Sequence, residues 1–164
     1  MPRLRAKISA QLYFKQFEFA IFGRRLRKAI YRKQLLMPKE ILIVDDEPGI
    51  VVAVQFLMQR QGYNVLVAKD GHDALDMIYK YQPDLVLLDI MLPGIDGYEV
   101  CEIVRLNPKL RDVKIIFLTA KGREVEIAKG LALGADAYIT KPFSNAELVA
   151  KVKMVLDNIN EEAR

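Results

Sequence analysis

Asp84-Leu85-Val86-Leu87-Leu88-Asp89 is an apolar run of four residues held between two acids, with Pro83 just ahead of it. Four apolar residues with no polar alternation read as a strand buried on both faces, the pattern of a parallel sheet. Asp89 stands at the C-terminal end of that strand, where open α/β sheets place their ligands. The next residues, Ile90-Met-Leu-Pro-Gly-Ile-Asp-Gly97, make a loop punctuated by Pro93, Gly94 and Gly97. Standing alone, Asp89 would read as a loop or cap aspartate. It does not stand alone.

Working outward, residues 41–44, 64–68, 114–118 and 136–140 are four more short apolar runs. Helical spacing separates them. Pro48 suits the first turn of a helix that stops at Gly62. Asp70-Gly-His-Asp-Ala74 opens another, with Leu75, Ile78 and Tyr79 expected on its inner face. A third runs from about Tyr98 to Leu106, a fourth from Glu124 to Leu133, and Ser144 caps a fifth. Alternation of this kind predicts an α/β fold: a doubly wound, five-stranded parallel sheet of flavodoxin-like form, order 2-1-3-4-5, with helices on both faces. Its switch point lies between the first and third strands. Asp45, Asp46 and Asp89 all fall at the C-terminal ends of those two strands.

Carboxylates crowded into one crevice repel each other, and a hard divalent cation relieves the repulsion. Mg²⁺ suits an oxygen site of few carboxylates, water and phosphate. The sequence offers no His or Cys at zinc spacing. Asp89 can act as a carboxylate nucleophile and become an aspartyl phosphate. A transferred phosphoryl group then needs a metal, a cation and a hydrogen-bond donor. Lys141, at the end of the fifth strand, supplies the cation, and Thr119, at the end of the fourth, supplies a hydroxyl.

These residues resemble those of response-regulator receiver domains, the CheY-like family. The matching motifs are Asp45-Asp46, Asp89 within Leu-Leu-Asp-Ile-Met-Leu-Pro-Gly-Ile-Asp-Gly, Thr119-Ala120 and Lys141-Pro142-Phe143. The resemblance runs from about Glu40 to Asn158. It implies that Asp89 takes phosphate from a phosphohistidine on a sensor histidine kinase or phosphotransfer protein. It implies that Asp46 and Asp89 hold Mg²⁺ with the Met91 backbone carbonyl, that Asp45 acts partly through water, and that Lys141–Pro142 is a cis peptide. Tyr138 falls at the family's aromatic switch position, coupled to Thr119. The motifs around Thr119 and Tyr138 look most like OmpR-type receivers, which pair through the fourth helix, fifth strand and fifth helix. Lys129, Asp136, Glu147 and Lys151 sit where that group places its cross-dimer charges, although Ala137 replaces one expected acid.

Composition bounds the rest. Hydrophobic residues at 52% and charged residues at 28% are ordinary for a globular domain. The one cysteine, Cys101, points to a reducing, cytoplasmic setting and to packing rather than catalysis. Residues 1–40 carry eleven Lys/Arg against two Glu, a net +9, and residues 41–164 carry fourteen against nineteen, a net −5. A basic extension, 1–38, thus precedes a receiver-like domain, 39–158, and a short tail, 159–164. The extension reads as a basic amphipathic helix for an anionic membrane surface or a partner groove, as a presequence, as a disordered stretch, or as sequence upstream of a true start at Met37. It carries no nucleic-acid-binding motif.

The sequence therefore predicts a stand-alone phosphoacceptor switch, not a turnover enzyme, with a downstream effector and a homodimer as candidate partners. Two alternatives compete. A phosphorylation-independent interaction module would not need the intact Asp45, Asp46, Asp89, Thr119 and Lys141 set. An aspartyl-phosphate hydrolase would need a general acid two residues after its nucleophile, where Met91 stands.

Overall fold

The structure, a computed structural model, describes residues 38–120 and 122–162, with side chains to residue 157. The expectations for the basic extension, 1–37, lie outside the described residues. The element order is β1 (Glu40–Val44), α1 (Pro48–Arg60), β2 (Asn64–Ala68), α2 (Gly71–Tyr81), β3 (Leu85–Leu88), α3 (Gly97–Leu106), a 3₁₀ turn at Pro108–Leu110, β4 (Lys114–Thr119), α4 (Glu124–Ala132), β5 (Ala137–Thr140) and α5 (Asn145–Glu162). The strands form one sheet of order β2-β1-β3-β4-β5, every pairing parallel.

Strand residues alternate between two apolar layers because successive side chains leave opposite faces. Leu42, Val44, Val86, Leu88, Ile115 and Phe117 pack with Ala74 and Ile78 of α2 and with Val100, Cys101 and Val104 of α3. Ile41, Ile43, Leu85, Leu87, Ile116 and Leu118 pack with Val54 and Met58 of α1 and with Leu148 and Val152 of α5. Burying both faces of β1, β3 and β4 fixes the register, since a one-residue slip would exchange the two sets.

Helix starts follow local chemistry. Asp70 accepts the Asp73 N–H at 2.9 Å, Asp96 and Glu99 form a reciprocal capping box, and Ser144 Oγ accepts the Glu147 N–H at 3.1 Å. Three expectations need correction. Tyr79 is exposed, because Ala74 and Ile78 already set the buried stripe of α2. Asp136 lies outside β5, its carboxylate turned to the chain around it. Residues 159–162, expected as tail, continue α5.

Candidate functional site

Val44 and Leu88 are register partners at the ends of β1 and β3. The residues that follow them, Asp45 and Asp89, therefore leave the sheet side by side, and both are buried. Parallel pairing aligns the strand ends, so the backbone ladder sets this proximity. Lys141, one residue past β5, reaches back across the sheet. Its Nζ lies 2.7 Å from Asp45 Oδ2, 2.9 Å from Asp89 Oδ2 and 3.2 Å from Glu47 Oε1. Backbone amides hold the remaining carboxylate oxygens: Asp45 Oδ1 accepts the Glu47 N–H at 2.9 Å and Asp89 Oδ1 the Met91 N–H at 3.1 Å.

Burial pushes the Asp45 carboxyl above its ordinary pKa, and the Asp89 charge adds to this; the bonds from Lys141 and the Glu47 amide pull the other way without cancelling it. Burial works against the Lys141 charge too, but its bonds to Asp45 and Asp89 outweigh that, and its pKa is raised. Ligand oxygens of Asp45, Glu47 and Asp89 lie within 4.8 Å of one another. Three carboxylates against one ammonium leave two formal negative charges uncompensated. An all-oxygen set with that charge fits a hard divalent cation.

The structure thus brings together Asp45, Asp89 and Lys141. Asp46, expected to ligate directly, is exposed and stands outside the cluster; Glu47 stands in it. The reason is a side-chain turn. Asp45 Oδ1 bonds the backbone two residues on, which folds the chain so that the Glu47 carboxylate returns over Lys141. An aspartate starting a polar turn was the available signal for Glu47, and the run of three acids masked it.

Thr119 ends β4 fully buried, and its carbonyl accepts the Lys141 N–H at 2.8 Å. The Lys141–Pro142 peptide is cis. Tyr138, half-buried, packs its ring 5.8 Å from Phe117, and Phe117 meets Tyr98 edge-on at 5.4 Å. Tyr138 is hydrogen-bonded to the Tyr98 hydroxyl, which itself donates to the Glu126 carbonyl at 3.2 Å. Of the expected partner face, Lys129 holds its Nζ 4.2 Å over the Tyr98 ring, Glu147 is exposed and Lys151 is half-buried. Asp136 is engaged within its own chain, by Arg105, Lys114 and the Ile115 N–H. Beside the acidic cluster opens a hollow of about 460 Å³, lined by Glu47, Ala53, Leu57, Lys141, Pro142 and Phe143.

Residues 41–153 match the family model for the response regulator receiver domain. Among solved structures, a chain assigned as a response regulator from Chloroflexus aurantiacus J-10-fl is 40% identical, with a TM-score of 0.71, over 74% of this chain and 99% of that one. A CheY-like receiver domain protein from Methanospirillum hungatei JF-1 is 34% identical, with a TM-score of 0.71, over 77% and 99%. The BeF3-activated DrrB receiver domain is 34% identical, with a TM-score of 0.67, over 74% and 99%.

Proposed function

The chain belongs to the response regulator receiver family, and from that membership we propose that it is a switch that accepts one phosphoryl group on Asp89. The observation that carries this is the contact of a buried ammonium with a buried strand-end carboxylate, Lys141 Nζ to Asp89 Oδ2 at 2.9 Å. Asp89 Oδ attacks phosphorus as the bond to a donor phosphohistidine nitrogen breaks. The imidazole keeps the electron pair and takes up a proton. Lys141 stabilises the charge that gathers on the phosphoryl oxygens. Water later attacks the aspartyl phosphate, releasing inorganic phosphate and the carboxylate. Such a cycle resets a switch rather than turning over a substrate.

Mg²⁺, the divalent cation the family implies, would supply charge neutralisation at the phosphoryl oxygens. The resemblance implies that Asp46 and Asp89 would hold it with the Met91 carbonyl, and that Asp45, whose carboxylate lies beside that of Asp89, would act partly through water. A sensor histidine kinase or phosphotransfer protein is the proposed donor, and the apolar hollow beside Lys141 gives a protein donor a surface to lean on. The proposed readout is a changed partner-binding face on α4, β5 and α5, open to an effector or a second copy. Among the described residues no helix is long and apolar enough to cross a membrane, and the setting we propose is cytoplasmic.

Incubation with acetyl phosphate and Mg²⁺, followed by mapping of the modified residue, tests the reading. One phosphoryl group on Asp89 is expected. Equal labelling of Asp89→Asn would defeat it.

A further inference from the structure

An ammonium group has three N–H bonds to give. Three carboxylates stand within hydrogen-bond distance of the Lys141 Nζ, those of Asp45, Asp89 and Glu47. In this state the lysine has no donor left for a phosphoryl oxygen. Modification of Asp89 removes one of these carboxylate acceptors and puts several phosphoryl oxygens in its place, so any second donor for the phosphoryl group must come from Asp45 or Glu47.

The three differ in how firmly they are held. The Asp45 and Asp89 side chains are 3% and 5% exposed, and each has its second oxygen bonded to a backbone amide. The Glu47 side chain is 63% exposed and makes the longest of the three contacts, 3.2 Å. It sits at the rim, on the last residue before α1, with solvent ready to receive its carboxylate. Releasing Glu47 costs little, whereas releasing Asp45 would leave a buried charge unpaired.

We propose that Glu47 is a positioning residue that occupies, in the unmodified protein, the Lys141 donor later taken by a phosphoryl oxygen. The inference rests on the phosphoacceptor reading of Asp89 and deepens it. Glu47 keeps the Lys141 ammonium fully bonded and aimed at the mouth of the site before phosphate arrives. It then competes with the phosphoryl group for that donor, so it sets how tightly the modified state is held. A ligand of the divalent cation would do the opposite, since its loss would weaken the modified state.

Beryllofluoride, which stands in for a phosphoryl group on a carboxylate, separates these roles. Wild type, Glu47→Gln and Glu47→Ala are first titrated with Mg²⁺. At saturating Mg²⁺ each is then titrated with beryllofluoride, with occupancy read by ¹⁹F NMR and the lysine ammonium signals recorded alongside. An exposed ion pair sets the scale of the effect, so Glu47→Ala is expected to bind beryllofluoride about two- to five-fold more tightly than wild type. Glu47→Gln should fall between, because its amide oxygen still accepts from Lys141. The Lys141 ammonium signal should shift in the unloaded Glu47→Ala variant. Equal or weaker beryllofluoride binding by Glu47→Ala would overturn the proposal. Identical gains in both variants that vanish at high salt would also overturn it, by reducing Glu47 to a repulsive rim charge. Failure of the wild type itself to take up beryllofluoride would defeat the phosphoacceptor reading, and this inference with it.

Discussion

Arg105, in the last turn of α3, closes on Asp136, in the turn before β5, at 2.9 Å. The same guanidinium donates to the Gly134 and Val113 carbonyls at 2.7 and 2.8 Å. Asp136 in turn takes Lys114 Nζ and the Ile115 N–H. This clasp ties the entry of β4 and the entry of β5 to the end of α3. Asp136→Ala should cost about 1–3 kcal/mol, because it strands a backbone donor as well as two cations. Asp136→Asn should cost less, since an amide oxygen still serves Ile115. Chemical denaturation, with the oligomeric state checked by light scattering, measures both. A changed oligomer with unchanged stability would return Asp136 to a cross-dimer role.

Asp45 gives a pH dependence with a definite sign. Its folded pKa is raised above the ordinary aspartate value, chiefly by burial. The native state therefore resists its ionisation. The resulting destabilisation is full above the folded pKa and disappears as pH falls below the unfolded one. Asp45→Asn should melt a few degrees higher than wild type at neutral pH, and the gain should shrink as pH approaches 4. Parallel thermal melts across that range check it.

Divalent cations should raise the melting temperature. Two uncompensated negative charges at the cluster favour binding to the folded chain alone. At a hundred-fold excess over Kd the gain is about 2.7 kcal/mol. Melts in MgCl₂ against NaCl of equal ionic strength should show it, and Asp89→Asn should lose most of it.

Thr119 is expected to carry the signal onward. A phosphoryl group on Asp89 should draw the Thr119 hydroxyl, and Tyr138, half-buried against Phe117, should then turn further inward. Thr119→Ala should still accept phosphate but show no change at Tyr138. Ring NMR signals of Tyr138, with and without beryllofluoride, decide it. The same shift in both versions would remove the threonine from the path.

Gly97 opens α3 directly against the Asp89 carbonyl. A methyl group there would run into that carbonyl and stand 2.8 Å from Ile90 Cα. Neither is a flexible side-chain end, so Gly97→Ala should cost about 1–3 kcal/mol as overpacking. It should also displace the loop that carries Asp89, which slower labelling by acetyl phosphate would reveal.

Strand order was legible because apolar runs bounded by Pro, Gly and acids recur along the chain, and Leu85–Leu88 could only be central. The nearness of Asp45, Asp89 and Lys141 followed from strand ends alone. Side-chain direction beyond the strands was not legible. Asp46 and Glu47 are adjacent acids, and one bond to Asp45 decides which returns to the site. Nothing in the sequence marks Arg105 for the carbonyl that the turn at Gly134 brings to it. Tyr98 marks only a helix start in the sequence, and its hydroxyl bond to Glu126 depends on where α4 lies.

Cys101, on the inner face of α3, has no exposure, and its Sγ lies 3.7 Å from the Leu133 carbonyl. Burial pushes its thiol pKa up to about 11. A thiol so placed is nearly inert to alkylating reagents while the fold is closed. It is also the chain's one cysteine. Its labelling rate therefore clocks the opening of the sheet face under α3, and comparing that rate with and without phosphate on Asp89 would time how far the signal loosens or tightens the layer below.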